Sequence, residues 1–388
     1  MIISGTNISG SRVYSTYIPP PPSGSSYGWG YNASGYIGDG TKTARATPTA
    51  TSGGVTTWTS VSAGYSTGAI KLDGTLWLWG DNSTGQLGTN DRTERLTPVQ
   101  TVAGGSNWSM FSTGRETSGA IKTDGTLWMW GRNANGQLGD NSSAGTSSPI
   151  QTVAGGSNWS SLAVGRVMTA AIKTDGTLWL WGSNATGQLG NGTITSVSSP
   201  IQTIAAGDNW SQVSVDRINS ATYGNVVAAI KTDGTLWVWG DNAVGQLGTN
   251  NLTKYSSPVQ TVAGGTNWRQ VDCSSGHAMY ATKTNGTAWA WGLNDNGQLG
   301  VNDTTNRSSP TQVIGGATNW SSISGAYYGG LGIKTDGTLW TWGNNNSFFG
   351  SALGNGSAAK QSSPVQIGSL TTWIAASGGG YGGVAIRT

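Results

Sequence analysis

The chain is poor in the residues that carry out most enzyme chemistry. It has one cysteine, Cys273, and one histidine, His277, among 388 residues. One cysteine excludes an internal disulfide, and no second histidine is available to complete a catalytic triad or a zinc site. The sequence also lacks a phosphate-binding glycine loop. We therefore predict a protein that is not an enzyme and that holds no metal or cofactor.

Charge is scarce as well. Asp, Glu, Lys and Arg make up 10% of the residues, against about 25% in ordinary soluble domains. The net charge is +3 and no basic block occurs, which argues against nucleic acid as the main partner. No apolar run is long enough to span a membrane, and the N-terminus lacks the pattern of a signal peptide. We expect a protein that is made in the cytoplasm and does not insert into membranes.

Glycine and tryptophan, by contrast, are abundant, with 63 and 20 copies. The segment Ala69–Gly80 has two short apolar runs joined by Asp-Gly, which predicts a β-hairpin with a type I′ turn. Both faces of the second run are apolar, so we expect this hairpin to lie inside a stack of sheets. The hairpin recurs at Ala120–Gly131, Ala171–Gly182, Ala229–Gly240, Ala281–Gly292 and Gly332–Gly343.

Two markers of the repeat each occur seven times. A repeat of about 50 residues that cannot bury its own surface forms an array, and seven copies predict an all-β, seven-bladed propeller with four strands per blade. In one blade we expect strands near Thr97–Val102, Ser109–Ser112, Gly119–Lys122 and Thr126–Trp130. The Trp-Gly glycines are Gly30, Gly80, Gly131, Gly182, Gly240, Gly292 and Gly343, and the strand-opening tryptophans are Trp58, Trp108, Trp159, Trp210, Trp268, Trp320 and Trp373.

The two ends of the repeat region each hold half of a hairpin. The chain ends with a first apolar run that contains Val384 and Ile386, and the repeats begin with a second run that contains Tyr27 and Trp29. Pairing these runs completes the seventh hairpin and hides the edges of the terminal strands. We therefore predict a ring that is closed by the C-terminal strand and the first strand of the repeats, over residues 27–388.

Residues 1–26 differ from the repeats and predict an N-terminal arm. Short alternating apolar positions precede Pro19–Pro22, a run that forms a stiff polyproline spacer. Two interpretations are open: a disordered tail, or an arm that docks through residues 1–22 on another protein or on another copy of the chain. The candidate docking residues are Val13, Tyr14, Tyr17, Ile18, Pro19 and Pro20.

The repeated text runs Leu-Trp-Leu-Trp-Gly, then Asn-x-x-Gly-Gln-Leu-Gly, Ser-Ser-Pro, Trp and Ala-Ile-Lys-Thr-Asp-Gly-Thr. It resembles the repeat of the regulator of chromosome condensation family, which implies a seven-bladed propeller. The founding members exchange nucleotide on a small GTPase, and relatives serve as scaffolds, ubiquitin-ligase parts and surface proteins. The motif is clearest at Gly80–Gly88, Gly131–Gly139, Gly182–Gly190, Gly240–Gly248 and Gly292–Gly300.

The turn before the first strand of each hairpin varies between repeats and is the candidate surface for a ligand or partner. Arginines in three successive repeats would form a cationic ring for an acidic ligand; the alternative is solvated charges that bind nothing. One repeat also has extra residues around Asp216–Gly224, a second candidate contact. The variable positions are Tyr65, Arg115, Arg166, Arg217, His277, Tyr327 and Tyr328.

Three other patterns favour structural roles. Cys273 and His277 are four residues apart, a spacing to consider for thiol chemistry, but this repeat class often has histidine there, so we expect packing or hydrogen bonding. Residues 81–85 lack the alternating acidic residues of a calcium loop and are expected to form Asx turns. Most tryptophans occupy repeat positions, so their number is no evidence for sugar binding.

These features favour a non-catalytic structural or recognition module of a larger assembly. Within that class we predict a bacteriophage virion protein of the tail or capsid, because the arm, the absent signal peptide and the low charge fit one. Its partners would be other subunits, or a cell-surface glycan or receptor. The alternatives are a cytosolic scaffold or small-GTPase regulator, for which an acidic surface insertion would be evidence, and a carbohydrate-binding adhesin.

Overall fold

The protein is described by a computed structural model over residues 22–204, 207–217, 225–274, 277–327, 329–345, 351–380 and 382–388. In these ranges the chain forms seven four-stranded antiparallel sheets, and none of it forms a helix that could cross a membrane. The sheets are the blades of a ring, which confirms the predicted all-β, seven-bladed propeller.

The strands follow one pattern: inner strand, two hairpin strands, outer strand. Blades 1 to 6 are β3–β6, β7–β10, β11–β14, β15–β18, β19–β22 and β23–β26, and blade 7 combines β27, β28, β1 and β2. The strands are β1 (Ser25–Gly30), β2 (Arg45–Ala50), β3 (Trp58–Ala63), β4 (Ser66–Lys71), β5 (Leu76–Gly80), β6 (Arg95–Gln100), β7 (Trp108–Thr113), β8 (Thr117–Lys122), β9 (Leu127–Gly131), β10 (Thr146–Gln151), β11 (Trp159–Val164), β12 (Met168–Lys173), β13 (Leu178–Gly182), β14 (Val197–Gln202), β15 (Trp210–Val215), β16 (Val226–Lys231), β17 (Leu236–Gly240), β18 (Tyr255–Gln260), β19 (Trp268–Cys273), β20 (Ala278–Lys283), β21 (Ala288–Gly292), β22 (Arg307–Gln312), β23 (Trp320–Ala326), β24 (Gly329–Lys334), β25 (Leu339–Gly343), β26 (Gln361–Gln366), β27 (Trp373–Gly378) and β28 (Gly382–Arg387).

The predicted composition of a blade is wrong for the outer strand. We expected Thr97–Val102 to share a blade with β7, β8 and β9, but β6 pairs with β5 of the preceding blade, where Gly80 lies opposite Arg95. The reason is that the polar link 81–94 turns back onto its own blade. Because both ends of this link lie at the same face of the disc, we call that face the link face and the opposite one the Asp-Gly face.

The Asp-Gly turn differs from the predicted type I′ turn. Of the pair, Gly74 alone has a positive φ, of 79°. The Gly74 N–H donates to the Lys71 carbonyl and the Lys71 N–H donates to the Thr75 carbonyl, the pattern of a type I turn followed by a glycine bulge. The Asp73 carboxylate accepts the N–H and the hydroxyl of Thr75 at 3.0 and 2.6 Å, and these bonds hold the pKa of Asp73 below its usual value.

Each hairpin is buried on both faces, as predicted. Leu76, Leu78 and Trp79 are fully buried, and the Trp79 ring lies 6.1 Å from that of Trp58 on the inner strand. The Trp79 indole N–H also donates to the Tyr36 carbonyl of the neighbouring blade at 2.9 Å. Seven such indole bonds join successive blades, and we call their donors the junction tryptophans: Trp29, Trp79, Trp130, Trp181, Trp239, Trp291 and Trp342.

The ring closes as predicted. β28 pairs with β1 over six residues, and Gly28 lies opposite Val384. The predicted closure residues Tyr27, Trp29, Val384 and Ile386 all lie in this strand pair, and the last two are 2% and 0% exposed. β1 begins at Ser25, inside the segment predicted as the arm, and the candidate docking residues 13–20 lie outside the described residues.

We expect deletion of residues 384–388 to lower the melting temperature by roughly 5 °C or more, because β1 and β27 lose the strand between them and the buried side chains of Val384, Ala385 and Ile386 are removed. Deletion of the exposed Thr388 alone is the control and should change the melting temperature by about a degree or less. Circular dichroism on heating measures both. A 384–388 deletion that melts like the parent would contradict closure by β28.

Candidate partner-binding face

The inner strands line a central channel, and side-chain hydrogen bonds join each inner strand to that of a neighbouring blade. Six blades have a hydroxyl or carboxylate four residues after the strand's first tryptophan, and each accepts a backbone N–H from the next blade. Ser112, for example, accepts the Val164 N–H at 3.0 Å. Blade 3 has Ala163 at this position, which cannot accept a hydrogen bond. The members of this acceptor ring are Ser62, Ser112, Ser214, Asp272, Ser324 and Ser377.

Arg217 of blade 4 crosses the channel near the link face. Its guanidinium donates to the Asp272 carboxylate of blade 5 at 3.3 Å and to the Ser377 hydroxyl of blade 7 at 3.2 Å. It also donates to the carbonyls of Ala63 in blade 1 and Gly378 in blade 7, at 3.5 and 3.3 Å. The channel cavity that it lines has a volume of about 230 Å³. One side chain therefore contacts three other blades across the axis of the ring.

The arginines predicted as a cationic ring have different surroundings. Arg217 is paired with Asp272 in the channel. The Arg115 guanidinium lies 4.7 Å from the centre of the Tyr65 ring and 3.6 Å from the Glu116 carboxylate. Arg166 is half-buried in the corresponding turn of blade 3. Because Arg115 and Arg217 are both paired with carboxylates of the chain itself, their attraction for an acidic ligand is reduced.

Cys273 and His277 have separate partners at the junction of blades 4 and 5. His277 is 3% exposed with a φ of 60°, and its Nδ1 lies 3.6 Å from a carboxylate oxygen of the fully buried Asp216. The Cys273 thiol donates to the Ser214 carbonyl at 3.3 Å, and burial raises its pKa. A thiol that stays protonated in this position is a poor nucleophile, so the geometry favours the structural interpretation of both residues.

Asparagine side chains organise the links. The fully buried Asn82 accepts the Leu87 N–H at 2.9 Å and donates through Nδ2 to the carbonyls of Asp91 and Thr93. Nitrogen donors therefore occupy the centre of the link, where a calcium ion would need oxygen ligands. Across the described ranges, no group of three or more His, Cys, Asp or Glu could hold a metal. The equivalent residues are Asn32, Asn82, Asn133, Asn184, Asn242, Asn294 and Asn345.

Lysines cover tryptophan rings on the Asp-Gly face. Lys71 Nζ lies 3.7 Å from the centre of the Trp77 ring and 5.3 Å from that of Trp58, a cation–π arrangement. Burial lowers the pKa of Lys283 and Lys334. These ammonium groups take up the ring faces on which a sugar would stack. The same contact occurs at Lys71, Lys122, Lys173, Lys231, Lys283 and Lys334.

Aromatic rings remain accessible on the link face, where blades 7, 1 and 2 meet. The ring centres of Tyr31 and Tyr36 are 6.1 Å apart in a stacked arrangement, and those of Tyr36 and Tyr65 are 6.3 Å apart. The Arg115 guanidinium lies over the Tyr65 ring, at the end of this row of rings. All four side chains are half-buried. The three tyrosines line a cavity of about 30 Å³, together with Gly379. We call these four residues the tyrosine–arginine cluster.

Two members of this cluster, Tyr65 and Arg115, were predicted as site residues, and two were not. Tyr36 could have been found, because it replaces the glutamine of the Gln-Leu-Gly motif. Tyr31 could have been found too, since it lies five residues before Tyr36 in the same link and its position, directly after the Trp-Gly glycine, varies between repeats. Tyr327 donates its backbone N–H to a carbonyl of the adjacent blade 7 at 3.2 Å. Tyr328 and most of the extra segment, residues 218–224, lie outside the described residues.

Comparison with family models identifies the repeats. The model described as Regulator of chromosome condensation (RCC1) repeat matches residues 73–121, 124–172, 175–215, 233–281, 285–331 and 336–386. A second model of the same repeat matches residues 268–298. Together these matches cover most of the chain.

Curated relatives share parts of the chain. The ultraviolet-B receptor UVR8 of Arabidopsis thaliana is 31% identical over 198 residues, which cover 50% of this chain and 43% of that protein. The mitochondrial RCC1 domain-containing protein RUG3 of Arabidopsis thaliana is 27% identical, over 64% of this chain and 56% of that protein. The E3 ubiquitin-protein ligase HERC2 of Homo sapiens is 28% identical, over 64% and 5%. The chain therefore spans less than two thirds of these relatives.

Solved structures share the fold over nearly the whole chain. Human WBSCR16 superposes with a TM-score of 0.79 at 22% identity and covers 94% of this chain and 99% of that one. Prp20p from Saccharomyces cerevisiae also superposes with a TM-score of 0.79, at 17% identity, over 96% and 93%. At these identities the similarity establishes the architecture alone.

We expect Arg217→Met to lower the free energy of unfolding by about 2–3 kcal/mol, because it leaves the Asp272 carboxylate without its cation. Asp272→Ser introduces the residue that most blades have at this position. The double variant should therefore be more stable than Arg217→Met alone. Denaturant unfolding of the four proteins of this cycle measures the coupling, and strictly additive changes would show that the two charges do not depend on each other.

Proposed function

Because the chain belongs to the regulator of chromosome condensation (RCC1) repeat family, we propose that it is a non-catalytic protein-interaction module whose link face binds a protein partner. The observation that carries this proposal is the tyrosine–arginine cluster. Tyrosine and arginine are among the residues that contribute most to protein interfaces. Here they are half-exposed, ordered by mutual ring contacts and placed beside a small cavity.

The relatives support a protein partner. Prp20p is reported with binding properties to Gsp1p and histones, and yeast RCC1 (Prp20) has been solved with Kap60 bound to it. A receptor and ubiquitin ligases carry similar repeats. The cytosolic scaffold or regulator among the predicted alternatives is therefore favoured over the virion protein. The virion location rests on composition, on the absent signal-peptide pattern and on the N-terminal arm, residues 1–26, and it stays a prediction.

The adhesin alternative has less support from the geometry. Its ligand would stack on exposed aromatic rings, and the repeated lysines cover those rings on the Asp-Gly face. Small-GTPase regulation is a narrower form of the same proposal, and it would be tested by adding the chain to a nucleotide-loaded GTPase and measuring nucleotide release.

We expect Tyr65→Ala and Arg115→Ala each to weaken partner binding at least about tenfold, since truncation of a hot-spot residue costs about 2 kcal/mol or more. Leu72→Ala, on the Asp-Gly face, is the matched control and should bind like the parent. The three variants and the parent are immobilised at equal density, and proteins captured from a lysate of the source cells are quantified by mass spectrometry. Melting temperatures verify that each variant is folded.

Two outcomes would contradict the proposal. One is a set of captured proteins that is the same for the parent and both cluster variants. The other is loss of capture in Leu72→Ala with retention in Tyr65→Ala, which would assign binding to the Asp-Gly face.

A further inference from the structure

An apolar groove of about 310 Å³ opens between blades 6 and 7. The rings of Tyr27 and Trp373 meet edge to face at 5.6 Å in its wall. The guanidinium of Arg387 lies 4.3 Å from the centre of the Tyr27 ring, and Leu370 is 42% exposed at the rim. The groove is lined chiefly by Tyr27, Pro48, Ile367, Leu370, Trp373 and Arg387.

The groove exists because blades 6 and 7 depart from the repeat. Tyr27 stands where the other six blades have a tryptophan, such as Trp77. Gly368 of blade 6 stands where blades 1 to 5 have a β-branched apolar residue, and a Cβ built on it would have no atom within 4 Å. Both changes remove side-chain volume at the same junction. The residues that Gly368 replaces are Val102, Val153, Ile204, Val262 and Ile314.

The chain enters the propeller beside this groove. Pro22, the first described residue, is exposed. Gly24 packs against the Arg387 carbonyl so closely that a Cβ would clash, and Ser25 pairs with Arg387 in the closing sheet. Arg387 is thus both a wall of the groove and a neighbour of the point where the arm begins.

We propose that residues 17–21 of the same chain, Tyr-Ile-Pro-Pro-Pro, occupy this groove. Proline-rich segments dock on grooves lined with aromatic rings, and Tyr27 and Trp373 supply such rings. Four prolines in a polyproline helix span about 12 Å, so Tyr17 and Ile18 lie within reach. Binding within one chain also benefits from a high effective concentration, of the order of millimolar.

Occupation by the arm would cover the seam of the ring. The groove lies against the strand pair β1 and β28, which closes the ring. A docked arm therefore adds contacts to both strands, through Tyr27 and Arg387. It also buries Leu370 and the exposed edge of Tyr27. The arm would then belong to the propeller surface instead of extending toward another subunit.

A pair of engineered cysteines tests the proposal in the full chain. The test variant is Ile18→Cys/Leu370→Cys, and the control is Ile18→Cys/Leu72→Cys. Leu72 is 43% exposed and Leu370 is 42% exposed. Leu72 is also near the start of the arm, since its N–H donates to Thr57 while Gly24 bonds with Trp58. The native Cys273 is fully buried and does not compete.

Both variants are oxidised gently at low micromolar concentration, and disulfides are mapped by peptide mass spectrometry under non-reducing conditions. We expect the bond between positions 18 and 370 to form within one chain at least tenfold faster than the bond between positions 18 and 72. Equal rates, or a faster bond to position 72, would overturn the proposal. Disulfide-linked dimers through position 370 would overturn it too, because the groove would then hold the arm of a second copy.

Discussion

Seven buried indole N–H groups hold the blades of this ring together. Each junction tryptophan is itself buried and donates to a carbonyl in the link of the neighbouring blade. A buried donor without its acceptor costs about 1–3 kcal/mol, so each link must present its carbonyl correctly. The link in turn is shaped by its buried asparagine, which binds the backbone on both sides of the turn. The strict repeat of tryptophan, asparagine and glycine follows from this mutual dependence.

Positions that keep the repeat sequence build the propeller, and a few positions that depart from it give this chain its own contacts. Where the repeat is kept, side chains are engaged within the fold: the acceptor ring joins neighbouring blades, and each repeated lysine covers tryptophan rings of its own blade. Where the chain departs from the repeat, the substituted side chains are exposed at the surface or make contacts that the other blades lack. Tyr36 adds a ring to the link face, Arg217 and Asp272 connect opposite sides of the channel, and Gly368 opens a groove. A shared fold says little about role, and the individual character of this chain lies in such departures.

The architecture could be predicted from the sequence because its signals are local. The period, the two tryptophan markers and the half-hairpins at Tyr27 and Val384 lie within short segments, and counting them is enough. The assignment of β6 to a blade could not be predicted, since an isolated outer strand has no local signal for its neighbour. The candidate site likewise has a part that could be predicted from the sequence and a part that could not. Tyr65 and Arg115 stand out by varying between repeats, whereas the partners of Arg217 lie up to 161 residues away and come together only in the closed ring.

The ring is continuous only if all seven junctions are equally closed, including the one at which the chain closes on itself. Hydrogen–deuterium exchange of the indole N–H groups, followed by NMR on a chain with ¹⁵N-labelled tryptophan, measures each junction separately. We predict seven slowly exchanging indoles with rates within about tenfold of one another, Trp29 at the closure among them. A Trp29 indole that exchanges orders of magnitude faster than the other six would contradict a continuous ring.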